Sequence, residues 1–340
     1  VNKKEKHIII VRFSALGDVA IAAPLVKEYA AANPEVRFTF VSLPRLKPLF
    51  EGVDNLLFFP VDLKGSYKGF GGMFRLFKKL RSLDPTNFAD FHNVIRTWML
   101  RFYFFFTRVK INFIDKGRRE KGRLTRKRGK VMKQLETSMS RYEKVLVKAG
   151  LQYLAVSERE EYFTSPADEV FKIGFAPFAK HKGKCWPAEN AERLIEFLSE
   201  DESVKIYLFG GGKEEVQVLM SWQHKYPGVE SMAGKYDFKD EMDIIGKMDL
   251  MITMDSANMH LASCKKVPVI SIWGATHPYA GFAAWGQSPQ NIIQSDLSCR
   301  PCSVFGNKKC FRGDYACLNN ITPEIVLDRI KKYRNLHSGK

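Results

Sequence analysis

Short β-rich apolar runs alternate with helix-length segments along this chain, and that alternation limits what it can fold into. In the first half the candidate strands are His7–Phe13, Arg37–Ser42, Asn55–Val61, Phe88–Asn93 and Arg108–Phe113, with helical stretches such as Val19–Ala32 and Tyr67–Leu83 between them. In the second half they are Phe171–Ala176, Val204–Phe209, Val229–Ala233, Leu250–Met254, Val267–Trp273 and Asn291–Gln294. Helical patterns over Ala188–Ser199, Lys213–Tyr226 and Ser256–Lys265 separate many of these. Strands spaced by helices imply βαβ units and parallel sheets. The series restarts near residue 165, after the acidic and polar stretch Ser157–Glu169, which reads as a linker. The expected fold class is α/β: two Rossmann-like, doubly wound domains, 1–165 and 166–340, facing a central cleft. The last helix could pack back on the first domain. A chain of 340 residues suits two such domains.

Composition narrows the function. Apolar residues make up 45%, enough for a large core. The opening apolar run from Ile8 spans four residues, too short for a signal peptide. "WMLRFYFFF", Trp98 to Phe106, is far short of the ~20 residues that cross a bilayer and contains Arg101. It reads as a buried helix rather than a face that touches a membrane. The expectation is a soluble, cytoplasmic protein. The formal charge of +17 lies almost wholly in residues 1–165, which hold 32 Lys and Arg against 16 Asp and Glu. Arg108–Lys133 alone carries 12 basic and two acidic residues. Such density needs a neutralising partner: a phosphorylated lipid, a membrane surface or nucleic acid.

Four stretches carry chemistry. "RFSALGDVAIAAP" is a strand–turn–helix with a single glycine, Gly17, beside Asp18. It lacks the G-x-G-x-x-G of dinucleotide sites, and no G-x-x-x-x-G-K-[ST] occurs in the chain. Asp18 falls at a helix start, where a carboxylate gains from the dipole whether or not it has a further role. "DSANMH" opens a helix after the strand ending at Met254; Asp255 or Ser256 can cap it, and its free N–H groups suit a phosphate or diphosphate. His260 lies one turn in, and the next strand ends in "WGATHP" at the same sheet edge. "GFAPFAKHKGKCWP" ends a strand in a loop with Lys180, Lys182 and Lys184, charges able to neutralise a leaving diphosphate. "LFGGGKEE" is a glycine turn into a helix, where Glu214 or Glu215 could accept from a sugar hydroxyl or a base amine.

These stretches, in this order, resemble glycosyltransferase family 9, the ADP-heptose:lipopolysaccharide heptosyltransferases. "RFSALGDVAIAAP" is similar to the family's Ser/Gly/Asp turn, "KCWP" to its Lys-x-Trp-Pro, and "DSANMHLAS" to its Asp-Ser/Thr-Gly-x-x-His-Leu segment. "WGATHP" and "ITPEIV" also fit, and weaker likeness over "ADFHNVIRTWMLRF" and "RVKINFIDKGRREKGRLTR" extends the resemblance over nearly the whole chain. The resemblance implies the GT-B fold and an inverting, metal-independent glycosyltransferase moving a heptose or related sugar from a nucleotide sugar of the ADP-heptose type. The acceptor implied is a phosphorylated glycolipid of the lipopolysaccharide core, reached by peripheral contact at the inner face of the membrane. Asp18 is then the general base. Lys180, Lys184, Glu214, Asp255, Ser256, Ala257 and His260 hold the donor; Arg96, Arg118, Arg119 and Arg123 are the acceptor-binding candidates. No cofactor is required. Two departures bear on the donor: Ala257 stands where the family has Gly, and "APFAKHKGK" lacks its usual hydroxyl-rich run. A transferase of this type using another nucleotide sugar is therefore the near alternative.

Cys299, Cys302, Cys310 and Cys317 follow a C-x2-C-x7-C-x6-C spacing compatible with a structural zinc, although the closing pair is not C-x2-C. Disulfides or free thiols are the other readings. Cys185 and Cys264 read as small buried residues. A remote alternative, a basic zinc-containing nucleic-acid-binding protein, explains the charge but leaves the paired α/β pattern and its loops without purpose. No nucleic-acid partner is expected.

Overall fold

The computed structural model describes residues 5–159 and 170–337. Within them the chain forms two compact units: residues 1–118 with 136–159, and 119–135 with 160–340. The expected boundary at 165 and 166, and most of the expected linker, lie outside the described residues. Segment 119–135 counts with the second unit although both its chain neighbours belong to the first.

The first unit is built on β1 (His7–Val11), β2 (Arg37–Ser42), β3 (Leu56–Pro60), β4 (Asn87–Asp90) and β5 (Lys110–Phe113). Its helices are α1 (Leu16–Ala31), α2 (Gly69–Arg81), α3 (Ile95–Phe105) and α5 (Ser138–Lys148), with α4 (Arg118–Leu124) leading into the second unit. Every strand pairing is parallel, in the order β3-β2-β1-β4-β5. β1 is central, with Ile9 between Thr39 of β2 and Phe88 of β4. Ile8, Ile9, Ile10 and Val11 are all at 0% exposure, because helices cover both faces of a parallel sheet. That is why the run is continuously apolar rather than alternating.

The second unit contains β6 (Phe171–Ala176), β7 (Val204–Leu208), β8 (Val229–Ser231), β9 (Leu250–Met254), β10 (Val269–Trp273) and β11 (Ile292–Gln294). They form a parallel sheet in the order β11-β10-β9-β6-β7-β8. Its helices are α6 (Ala188–Ser199), α7 (Lys213–Lys225), α8 (Phe238–Ile245), α9 (Ala257–Cys264), α10 (Ala316–Asn319) and α11 (Pro323–His337). Gly174, on β6, has no room for a side chain: a Cβ there would lie 2.0 Å from Met251 Sδ. The last helix packs on α6 of the second unit. Val326, Ile330 and Tyr333 enter that unit's core. Trp186 of "KCWP" fixes the same junction by donating from its indole to the Ile321 carbonyl (2.8 Å).

All eleven expected strands are present, and each unit is a doubly wound α/β domain. The aromatic segment departs from expectation. It forms α3, whose Leu100 and Phe104 are buried, but Trp98, Phe102, Phe105 and Phe106 lie at the surface. Both stripes of this helix are apolar, so its periodicity reads as a helix enclosed on all sides.

Candidate active site

In a doubly wound sheet a ligand crevice opens at the carboxyl ends of the two strands where the strand order reverses. In the first unit those strands are β1 and β4; in the second they are β6 and β9. Asp18 follows a strand at the first point, and Lys184, Asp255, Ser256, Ala257 and His260 follow strands at the second.

Arg12 follows β1 directly, and α1 begins four residues later with Asp18 in its first turn. The Asp18 carboxylate accepts from the Ala15 N–H, and the guanidinium of Arg12 pairs with it. Arg12 is itself buried and donates to the Phe91 carbonyl beyond β4 (2.8 Å), which anchors the ion pair to the neighbouring strand. The side chain of Asp18 keeps 31% exposure, so it is held from one side and open on another. Asp90, at the end of β4, is fully buried and accepts from the N–H groups of His92 and Asn93 (2.8 and 2.7 Å). That turn presents His92, whose ring meets Phe13 edge-on and whose Nδ1 is buried without a hydrogen-bond partner. Burial, helped by Arg12 and Lys116, depresses the His92 pKa to about 3. Lys116, beyond β5, is lowered to about 8 by burial and by the neighbouring Arg12 and Arg118.

In the second unit the loop after β6 and the loop after β9 are joined by an ion pair, Lys184 Nζ to Asp255 Oδ2 at 2.8 Å. Asp255 is 4% exposed. Ser256, not Asp255, is the N-cap of α9; its hydroxyl makes no cap bond and is buried without a partner. Thr276, in the "WGATHP" turn, likewise has a buried hydroxyl without a hydrogen-bond partner. Ala257 occupies the first turn of α9 and His260 is buried one turn in. The open N–H groups of α9 and these hydroxyls form an uncharged donor set beside one lysine, an arrangement suited to a diphosphate. Lys180 is exposed, and Lys182 lies over the Tyr315 ring (5.2 Å). Of the two glutamates, Glu215 accepts from the Gly211 N–H (2.8 Å) and so braces the glycine turn, whereas Glu214 is exposed.

The cysteine segment stands behind these loops. Ala275 N–H donates to the Gly183 carbonyl (2.8 Å), and Cys302 N–H donates to the Ala275 carbonyl (3.0 Å). Arg300 is buried and donates to the carbonyls of Trp273, Gly274, Thr276 and Ser295, fixing the turn after β10. Gly306 admits no side chain, since a Cβ would meet Lys184 Cγ at 2.6 Å. Cys299, Cys302, Cys310 and Cys317 line one small cavity with Arg300 and Tyr315. No disulfide joins any of the six cysteines. Among the described residues no three His, Cys, Asp or Glu are gathered closely enough to hold a metal ion. Cys185 and Cys264, expected to be buried, are partly exposed; the Cys185 thiol donates to the Ala179 carbonyl.

The acceptor candidates divide. Arg96 and Arg118 belong to the first unit, and the Arg118 guanidinium lies 3.4 Å from the Asn93 carbonyl. Arg119 and Arg123 count with the second unit; all four are exposed. Part of the basic run already has partners there: Lys121 sits over Phe282, Lys127 over Phe311, and Lys130 donates to the Cys299 carbonyl (2.8 Å). Sequence reasoning passed over Arg12, His92, Lys116, Thr276 and Arg300. The signal for the first four was position, since each follows a strand at its carboxyl end.

A family model described as Glycosyltransferase family 9 (heptosyltransferase) matches residues 74–310. The chain is 29% identical to lipooligosaccharide heptosyltransferase 2 of Campylobacter jejuni over 47% of its own length and 50% of that protein's. It thus spans about half of that relative. It is 24% identical to the lipopolysaccharide core heptosyltransferase OpsX of Haemophilus influenzae over 80% of each. Among solved structures, Escherichia coli heptosyltransferase WaaC with ADP-2-deoxy-2-fluoro heptose superposes with a TM-score of 0.69 at 17% identity, covering 96% of this chain and 99% of that one.

His92 and His277, whose pKa burial lowers to about 4, make stability pH-dependent. Unfolded histidines titrate near pH 6.5, so between that value and the native ones the unfolded chain binds more protons. Their contribution is therefore complete above pH 6.5 and lost as pH falls towards 4 and 3. Urea midpoints measured from pH 7 to pH 4 should fall for the native chain and fall less for His92→Phe. Equal slopes in the two proteins would remove His92 from this account.

Proposed function

The chain belongs to glycosyltransferase family 9, with the GT-B fold, and we propose that it transfers a heptose from ADP-heptose to a phosphorylated glycolipid acceptor of the lipopolysaccharide core. The observation that carries this reading is Asp18, held by Arg12 at the strand-order reversal of the first unit and open to solvent on its other side. The domain division proposed is 1–165 for the acceptor and 166–340 for the donor, and the place of work is the cytoplasmic face of the inner membrane.

The chemistry follows from the two groups of residues. Displacement at the anomeric carbon passes through an oxocarbenium-like state as the diphosphate gains charge. In the donor domain Lys184 and the N–H groups at the start of α9 face that charge, with the hydroxyls of Ser256 and Thr276 as further donors. Fixed dipoles of this kind stabilise a leaving diphosphate without reorganising during the reaction. Lys184 already neutralises Asp255, so the arriving diphosphate meets a lysine whose position is set in advance. Asp18 takes the proton of the attacking hydroxyl, a step typically worth ~10²–10⁴-fold. Arg12 fixes the carboxylate, and Lys116 and Arg118 supply positive charge for a phosphorylated acceptor.

The comparisons that support this reading are with heptosyltransferases, and the WaaC structure carries an ADP-heptose analogue. Ala257 in place of the family's glycine keeps a different nucleotide sugar as the second reading. A structural zinc on the four cysteines belongs to the proposal as its one metal. The shared cavity and the buried cation Arg300 support it, because a tetrathiolate shell is anionic. Binding would require the thiols to draw inward.

Asp18→Asn should abolish transfer while donor-induced stabilisation in a thermal shift persists. Near-normal turnover would remove the base assignment. Replacing Arg118, Arg119, Arg123, Arg126 and Arg128 with Gln should raise the acceptor KM and flatten its salt dependence; an unchanged KM would detach this segment from acceptor binding. Elemental analysis of protein purified without added metal should read about one zinc per chain, with a lower Tm after chelation. Absence of metal and an unchanged Tm would overturn the zinc reading.

A further inference from the structure

The surface of the first unit holds an aromatic cluster that the transfer chemistry does not use. α2 and α3 pack on each other through Phe77, whose ring lies 5.4 Å from Tyr103 and 5.0 Å from Phe104. Their inner faces, with Met73, Leu76, Leu100 and Phe104, join the core that contains β1. The outer face should then be polar, and it is not. Ile95, Trp98, Phe102, Phe105 and Phe106 recur at helical spacing along the outer side of α3, and Phe70 opens α2. Phe105 is 73% exposed, Phe106 70% and Phe70 78%. The rings of Phe102, Phe105 and Phe106 lean on one another, at 5.2 and 5.5 Å, and only Phe102 also meets a ring of the layer beneath, Tyr103 at 6.0 Å. Water wets this cluster at a cost that folding does not recover, and so large a patch marks an interaction surface.

Its rim identifies the partner. Between Lys68 and Lys110 the chain has nine Lys and Arg against two Asp, and one of those, Asp90, is fully buried. Arg75, Lys78, Lys79 and Arg81 on α2 and Arg108 and Lys110 beyond α3 are exposed. An interface with protein is depleted of charge around its apolar centre and is seldom ringed by one sign. Aromatic tips within a cationic rim fit the boundary of an anionic bilayer, where rings settle at headgroup level and Lys and Arg reach the phosphates. Among the described residues no helix is long and apolar enough to cross a membrane, so the contact is with the surface.

We propose that the outer face of α2 and α3 is a bilayer-docking surface: Trp98, Phe102, Phe105 and Phe106 enter the interface of an anionic membrane, and the surrounding Lys and Arg engage its headgroups. This deepens the functional reading by naming the surface that would meet the membrane, and it rests on that reading only for the presence of a lipid partner.

The test is flotation of the full chain with vesicles free of any glycolipid acceptor, either phosphatidylcholine alone or with three parts in ten phosphatidylglycerol. The native chain should float with the anionic vesicles, far less with the neutral ones, and less as salt rises. The triple variant Phe102→Ser, Phe105→Ser, Phe106→Ser alters only exposed side chains and should lower partition roughly tenfold or more, at an unchanged Tm. Brominated lipids should quench part of the native fluorescence, and Trp98→Phe should remove that part. Absence of flotation by the native chain overturns the proposal, as does equal partition by the triple variant. So does a native dimer that the triple variant converts to monomer while vesicle binding stays unchanged, which would assign the face to a second copy. Transfer to a delipidated acceptor, assayed separately, should be equal in native and triple variant. Loss of transfer with flotation intact would strike at the enzymatic reading alone.

Discussion

A parallel strand covered by helices on both faces has no side left for a ligand, and the central strands of both sheets are of this kind. Ile8–Val11 and Leu250–Met254 are buried at every position, so chemistry can only be placed where strands end. The connections diverge at β1 and β4 in one unit and at β6 and β9 in the other, and a gap opens there because consecutive crossovers leave in opposite directions. Asp18, the Lys184–Asp255 pair and α9 occupy those gaps because nowhere else on a doubly wound sheet offers main-chain donors and side chains together.

Each unit braces its strand-end loops with a buried arginine. Arg12 spans β1 and the chain beyond β4, and Arg300 collects carbonyls from the turn after β10. A guanidinium offers five donors in a fixed plane, so a single residue can hold several loop carbonyls in register. The glycines serve the same end. Gly183 and Gly306 let backbone approach Ala275 and Lys184 at distances no side chain would permit. Lys184 is thus wedged in place by the cysteine segment, giving that segment a mechanical role whether or not a metal is bound.

The strands were legible because burial on two faces produces continuous apolar runs, and the spacing between runs betrays a crossover. The candidate residues were legible where they fall inside one short stretch, as with Asp18 and the "DSANMH" turn. What could not be read depends on residues distant in the chain. Arg12 acquires meaning only when β4 lies beside β1 and offers the Phe91 carbonyl. Glu215 looked equivalent to Glu214 until the Gly211 N–H claimed it. The outer face of α3 misled for a physical reason: a helix with apolar residues on two opposite sides is normally covered on both, whereas here Trp98, Phe102 and Phe105 lie at the surface.

The excursion of residues 119–135 has its own consequence. The chain passes from the first unit to the second, returns at Glu136, and leaves again after Arg159. Leu135 is bonded to the Tyr279 carbonyl and Lys130 to that of Cys299, far along in the sequence. A ribosome that has released the first 159 residues has therefore delivered a strap whose anchorage does not yet exist, and no single cut in the chain yields two intact halves. The two units are interleaved in sequence, so the second is completed by a segment made before the first has ended.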